Sequence, residues 1–161
     1  MSDTKTLYDE DFLAWTKDQA EALRSAARDR SNRRLDWENL AEEIESLGTS
    51  QKSALSSQMR RIVRHLLKLQ YSLAPDPRRG WFETVVDARG EIEDLFRTSP
   101  SLKSEARDAV AIANRLGSRQ AIQDLERYSE LNPTVLAQLR ATAYTAEQIL
   151  DDDWFPPEAQ G

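Results

Sequence analysis

The chain contains no cysteine. That excludes disulfides and thiolate–zinc sites, although it is compatible with any cellular compartment. It has one histidine, so a catalytic triad has a single candidate base. Zinc would be left with carboxylates, which it seldom uses alone. Glycine and proline number only 5 and 6 in 161 residues. Such scarce turn-formers exclude a fold of many short strands and argue for a few long elements. No apolar run approaches the ~20 residues that span a bilayer, so no membrane partner is expected. Residues 1–7 are polar and lead into Asp9, Glu10 and Asp11. No secretory leader is expected from this pattern, and the expected location is the cytoplasm. Glycine-rich phosphate loops, the Walker lysine and the H-E-x-x-H pattern are missing. Asp151, Asp152 and Asp153 are consecutive, where an EF-hand loop needs alternation.

What is present is 39% hydrophobic and 31% charged, with a net charge of −6. The length suits one domain spanning 1–161, with enough apolar content to bury a core. The acidity gives no bulk attraction to nucleic acid or anionic lipid.

Apolar residues recur at steps of three and four along most of the chain, which predicts an all-α, single-domain bundle of six to seven helices. A first helix over 8–28 carries Tyr8, Phe12, Trp15 and Leu23 on one side. A second, over 36–47, is capped by Asp36 and striped by Trp37, Leu40, Ala41, Ile44 and Leu47. Gly48 reads as its stop. A third, over 50–71, carries Leu55, Met59, Ile62, Val63, Leu66 and Leu67. With two residues between them, 36–47 and 50–71 are expected to form a long antiparallel hairpin. The run 74–80 reads as an exposed, non-helical loop because of Pro75 and Pro77. A fourth helix is expected over 81–97, with Gly90 marking close packing, and a fifth from Ser99–Pro100 to a stop at Gly117. Weaker helices follow over 118–128 and from Asn132–Pro133. Thr145 and Gln148 have the spacing of a capping box. Residues 1–7 are expected to be flexible, and the tail 151–161, with Trp154 and Phe155, to pack on the bundle.

Several pieces of the chain resemble the bacterial family called domain of unknown function 29. They are Leu7-Tyr8 with Asp11-Phe12 and Trp15, Leu35-Asp36 with Asn39-Leu40, and the block Glu42 to Gly48. His65-Leu66-Leu67-Lys68, Trp81, Arg89, Ile92, Ser99-Pro100-Ser101-Leu102, Gln148 to Asp151 and Trp154-Phe155-Pro156 complete the set. The resemblance covers nearly the whole chain and implies an almost entirely helical fold. The family has no assigned activity, so it implies no catalytic residue. Between Gly117 and Thr145 the chain shows helical spacing where the family carries a short aromatic-and-proline run.

Three constellations carry candidate chemistry. Glu38, Glu42 and Glu45 lie about 100°, 140° and 80° around the helix from Trp37, on one edge. With Asp36 and His65 they form a candidate polar cluster, of the kind that holds a divalent cation or supplies acid–base groups. The bland reading is a solvated edge: a hairpin turn at 48–49 sets Lys52 opposite Glu45 and Arg60 opposite Glu38, so the charges pair without a metal. The same hairpin puts His65 near Asn32 and within reach of Asp36, a structural tie. Arg60, Arg61, Arg64 and Lys68 lie opposite the apolar stripe, and Arg78 and Arg79 follow in the loop. This candidate basic face suits phosphates, but ordinary ion pairing accounts for it equally.

The sequence therefore favours a non-catalytic protein-interaction module without cofactor or metal, working through a protein partner or a homo-oligomer. A metal-dependent hydrolase using the Glu38/Glu42/Glu45 edge and His65 is the alternative. Nucleic-acid binding through the basic face is a further and disfavoured one.

Overall fold

The computed structural model describes residues 6–29 and 35–158, and every regular element among them is helical. In chain order these are α1 (Leu7–Glu10), α2 (Phe12–Arg28), α3 (Trp37–Tyr71), α4 (Arg78–Thr98), α5 (Leu102–Arg127), α6 (Pro133–Ala141) and α7 (Ala146–Leu150). The all-α expectation and the number of helices hold. The expected flexibility of 1–7 falls mostly on 1–5, which lie outside the described residues, as does Asn32.

The hairpin of 36–47 against 50–71 does not form. Gly48 and Thr49 lie inside α3, which runs unbroken for 35 residues. Gly48 does not take a positive φ. A Cβ placed on it would stand 2.5 Å from Thr16 Oγ1 and 2.8 Å from Leu13 Cδ1. Its missing side chain lets α2 approach, and the ~1 kcal/mol that glycine costs in a helix interior is too little to end so long an element. The hydroxyls of Thr49 and Ser50 bond back to the carbonyls of Glu45 and Ser46, so neither opens the helix. Gly117 repeats the lesson. It sits within α5, where a Cβ would meet Val63 Cγ1 at 2.7 Å and the Arg60 carbonyl oxygen at 2.9 Å. Gly90, expected to mark close packing, faces nothing within 4 Å.

Other boundaries move for local reasons. The expected first helix breaks at Asp11, whose carboxylate accepts the Ala14 N–H at 2.9 Å and caps α2. Arg78, Arg79 and Gly80, expected in a loop, open α4. Proline restricts the residue before it rather than those after, and the Pro77 carbonyl accepts the Trp81 N–H. Asn132 caps α6 through the Val135 N–H. Thr145 and Gln148 form the expected capping box on α7.

The described chain groups into two compact units. One comprises Met1–Leu55 and Asp94–Glu105. Its buried side chains include Leu13, Thr16, Ala20, Ala41, Leu55 and Leu102. Asp11 also accepts from the Ser101 N–H at 2.7 Å and the Ser101 hydroxyl at 2.9 Å. Buried Ser99 accepts the Leu13 N–H and donates to Gln51. Glu105 receives both Lys52, at 2.9 Å, and Lys17, at 3.6 Å.

The other unit comprises Ser56–Glu93 and Ala106–Gly161. Met59, Ile62, Val63, Leu66 and Leu67 of α3 are buried there, with Val85, Ala88 and Ile92 of α4, Ala113, Ala121 and Leu125 of α5, Leu139 of α6 and Ile149 of α7. Arg89 is buried and makes no ion pair among the described residues. Its guanidinium donates to the carbonyls of Ile149 and Gln148, each at 2.9 Å, and so closes the C-terminal end of α7. Burial lowers its pKa, which the charges of Asp152 and Asp151 only partly oppose. Phe155 stacks on Phe82 and lies beneath the Arg89 guanidinium, while Trp154 meets Tyr144 edge-on. Residues 154–156 thus pack against this unit.

Candidate functional site

The first half of α3 carries an apolar seam that the described residues cover only in part. Trp37, Leu40, Ile44 and Leu47 follow the 3-4-3 spacing by which one helix packs along another. The stripe predicts all four in the core. Only their neighbours Ala41 and Gly48 are buried, turned toward α2, whereas Leu40 and Leu47 are 40% and 49% exposed and Trp37 and Ile44 half-buried. Glycine at 48 is the cause. The tightest approach of α2 is to the smallest residues, so the larger side chains fall beside that contact line instead of on it.

The acidic residues along this half divide in two. Glu45 and Glu38 turn to Arg24 of α2, at 2.8 and 4.0 Å. The Arg24 hydrogen bond holds the Glu45 carboxyl below its usual range. Asp36 accepts from the Asn39 backbone and side-chain N–H groups, an N-terminal cap. Glu42 and Glu43 are exposed. The pairs expected from the hairpin, Lys52 with Glu45 and Arg60 with Glu38, are therefore replaced: Lys52 goes to Glu105 and the glutamates to Arg24. Sequence reasoning misses Arg24 because nothing in one-dimensional spacing sets α2 beside this edge.

His65 does not join the glutamates. Asp36 precedes α3, whereas His65 lies in the second half of that helix. The His65 Nδ1 lies 2.8 Å from the Arg61 carbonyl. A carbonyl only accepts, so Nδ1 carries the proton and Nε2 is the bare nitrogen of the neutral ring. Burial pushes the His65 pKa down. The bond to the Arg61 carbonyl opposes that, and the charges of Lys68, Arg64 and Arg61 lower it further. Among the described residues no three of His, Cys, Asp and Glu converge as a metal ion would need.

The basic face also divides. Arg64 grips Asp124 of α5 through two hydrogen bonds of 2.7 and 2.8 Å, and Lys68 reaches the same carboxylate at 3.1 Å. The Lys68 ammonium also sits 4.7 Å above the Trp81 ring. Lys68 and Asp124 are both buried. Burial raises the Asp124 carboxyl, but the hydrogen bonds from Arg64 and Lys68 outweigh it and hold the group below the usual aspartate value. Arg78 donates to the carbonyls of Leu69 and Ser72 and pairs with Glu158, and Arg79 pairs with Glu83. Only Arg60 and Arg61 of the six make no ion pair among the described residues. Asp124 escapes sequence reading, although it lies beside Ala121 and Leu125 on the buried side of α5, where a carboxylate demands a partner.

Arg60 and Arg61 line a cavity of about 260 Å³, with Ser57, Gln58, Arg64 and His65 of α3 and Gln120 of α5. No carboxylate of the described residues lines it. The Gln58 Oε1 is a buried acceptor with no partner among the described residues.

The fold is thus an all-helical one bearing an exposed seam and a small cationic cavity. Residues 7–155 match the family model described as "Domain of unknown function DUF29", and the chain belongs to that family. No curated protein matches it. Among solved structures it is similar to a crystal structure of an α-helical protein of unknown function from Rhodospirillum rubrum ATCC 11170. The two are 26% identical with a TM-score of 0.67, over 94% of this chain and 93% of that one. No helix among the described residues is long and apolar enough to cross a membrane.

Proposed function

We propose that this chain is a non-catalytic interaction module that receives a helix of a partner protein along the seam of Leu40, Ile44 and Leu47. The supporting observation is the exposure of Leu40 and Leu47 at packing spacing on a helix whose other side is already engaged by α2. A helical partner matches that 4-3 register. Charge selects its chemistry: 36–47 holds five carboxylates and no base, and Asp36 and Glu43 occupy the position just before each repeat of the seam, where zipper helices pair across the interface. A second copy would bring like charges together, so the partner's flanks carry lysine or arginine. Covering half-exposed Leu40, Ile44 and Leu47 contributes on the order of 3 kcal/mol at the usual coefficient for apolar burial, which fits a weak, reversible contact.

Calorimetry with two synthetic helical peptides tests this. Both carry a leucine seam; one has lysine flanks and the other glutamate flanks. The lysine peptide is expected to bind, more weakly as salt rises, and binding is expected to vanish in a Leu40→Ser, Leu47→Ser protein of unchanged helicity. Equal affinity for the two peptides refutes the proposal. So does a wild-type dimer in sedimentation velocity that the double substitution dissolves, since that assigns the seam to a second copy.

A further inference from the structure

We propose that the cavity between α3 and α5 binds a small phosphoryl anion, inorganic phosphate being the simplest. The cavity is built from residues other than those of the seam, so the two proposals stand or fall separately.

Charge comes first. Among the described residues, Arg60 and Arg61 line the cavity with no ion pair and with no carboxylate beside them in its lining. Arg64 adds a third guanidinium whose orientation is fixed by its two bonds to Asp124. Planar guanidinium groups match the oxygens of a phosphoryl group in pairs. Size comes second. At about 260 Å³ the cavity lies below the ~300–1,000 Å³ of sites for drug-sized ligands, which favours a small ion.

His65 adds a reporter. With Nδ1–H held by the Arg61 carbonyl, the proton it gains on ionising goes to Nε2. The charged groups acting on the ring are Arg61, Arg64 and Lys68 of α3, all cationic, while Asp124 of α5 is engaged by Arg64 and Lys68. An anion bound beside Arg61 offsets that repulsion and raises the His65 pKa.

His65 is the only histidine in the sequence, so its imidazole NMR signal needs no assignment by mutation. Its titration is followed in chloride, sulfate and phosphate at matched ionic strength. Phosphate is expected to raise the pKa saturably by about one unit, a tenfold linkage. Sulfate, a tetrahedral oxyanion of similar size, is expected to raise it as well, and chloride not at all. Arg61→Gln, at an exposed position, is expected to remove most of the phosphate shift. Identical pKa values in the three salts overturn the proposal, as does a phosphate shift that survives Arg61→Gln. The comparison of salts on the wild-type protein stands even if a variant fails to fold.

Discussion

Replacing Gly117 by alanine sets helix propensity against packing. In an open helix interior the change stabilises by about 1 kcal/mol. Here the new Cβ lands 2.7 Å from Val63 Cγ1, 2.8 Å from Val63 Cβ and 2.9 Å from the Arg60 carbonyl oxygen. Val63 is fully buried and branched at Cβ, so its rotamer has little freedom to yield. The carbonyl belongs to the α3 backbone and moves only with the helix. Overpacking of this kind costs roughly 1–3 kcal/mol, and a backbone contact belongs at the upper end. The net expectation is a loss of about 1–2 kcal/mol, or a Tm lowered by roughly 2–8 °C for a chain of this size. Gly90→Ala is the internal control, because nothing lies within 4 Å of it. It is expected to raise stability by about 0.5–1 kcal/mol. Thermal and urea unfolding followed by circular dichroism at 222 nm measures both. A Gly117→Ala protein as stable as the Gly90→Ala protein would refute the close approach of α3 and α5.

Asp124→Asn removes the charge that holds Arg64 and buried Lys68; a loss of about 2–3 kcal/mol is expected in urea melts, at or below the low end for a broken buried pair because Arg64 is partly solvated. The Asp124 carboxyl is depressed in the folded state, so its contribution is complete above the unfolded value of about 3.9 and lost as pH falls through the lower folded value; the Asn variant should show a shallower acid transition below pH ~4. His65 is also depressed. The unfolded chain therefore binds its proton first, stability rises with pH from the folded value up to about 6.5, and His65→Gln in chloride buffer should flatten that rise. Arg89→Lys cannot serve the Ile149 and Gln148 carbonyls together, so faster amide exchange confined to 146–156 is expected, and uniform exchange throughout the chain would contradict the latch. Ile62→Asp buries an unpaired carboxylate at a fully enclosed site and is expected to unfold the protein; a full helical circular dichroism signal would contradict that core.

Helices with caps of their own are legible in the sequence. Asn132 with Pro133, and Thr145 with Gln148, bond to backbone groups within three residues, and both places are helix starts. The stripe Leu55, Met59, Ile62, Val63, Leu66 and Leu67 is fully buried, as its spacing implies. Glycine misleads in each direction. Gly48 and Gly117 read as stops and are points of close approach, while Gly90 reads as a packing point and lies open. One residue type serves two purposes, and sequence spacing does not separate them. The candidate sites follow that error, since each expected charge pair comes from a hairpin that does not exist.

The sequence by itself determined the helical class, several helix starts, the family and the buried stripe of the second half of α3, because these depend on residues within a turn or two of one another. Only the tertiary structure decided that Arg24 takes Glu38 and Glu45, that Asp124 takes Arg64 and Lys68, and that Leu40 and Leu47 remain uncovered. Those outcomes depend on which helix lies alongside which, over separations of up to 60 residues. A helix's own periodicity says which face is apolar, but not whether a neighbour arrives to cover it.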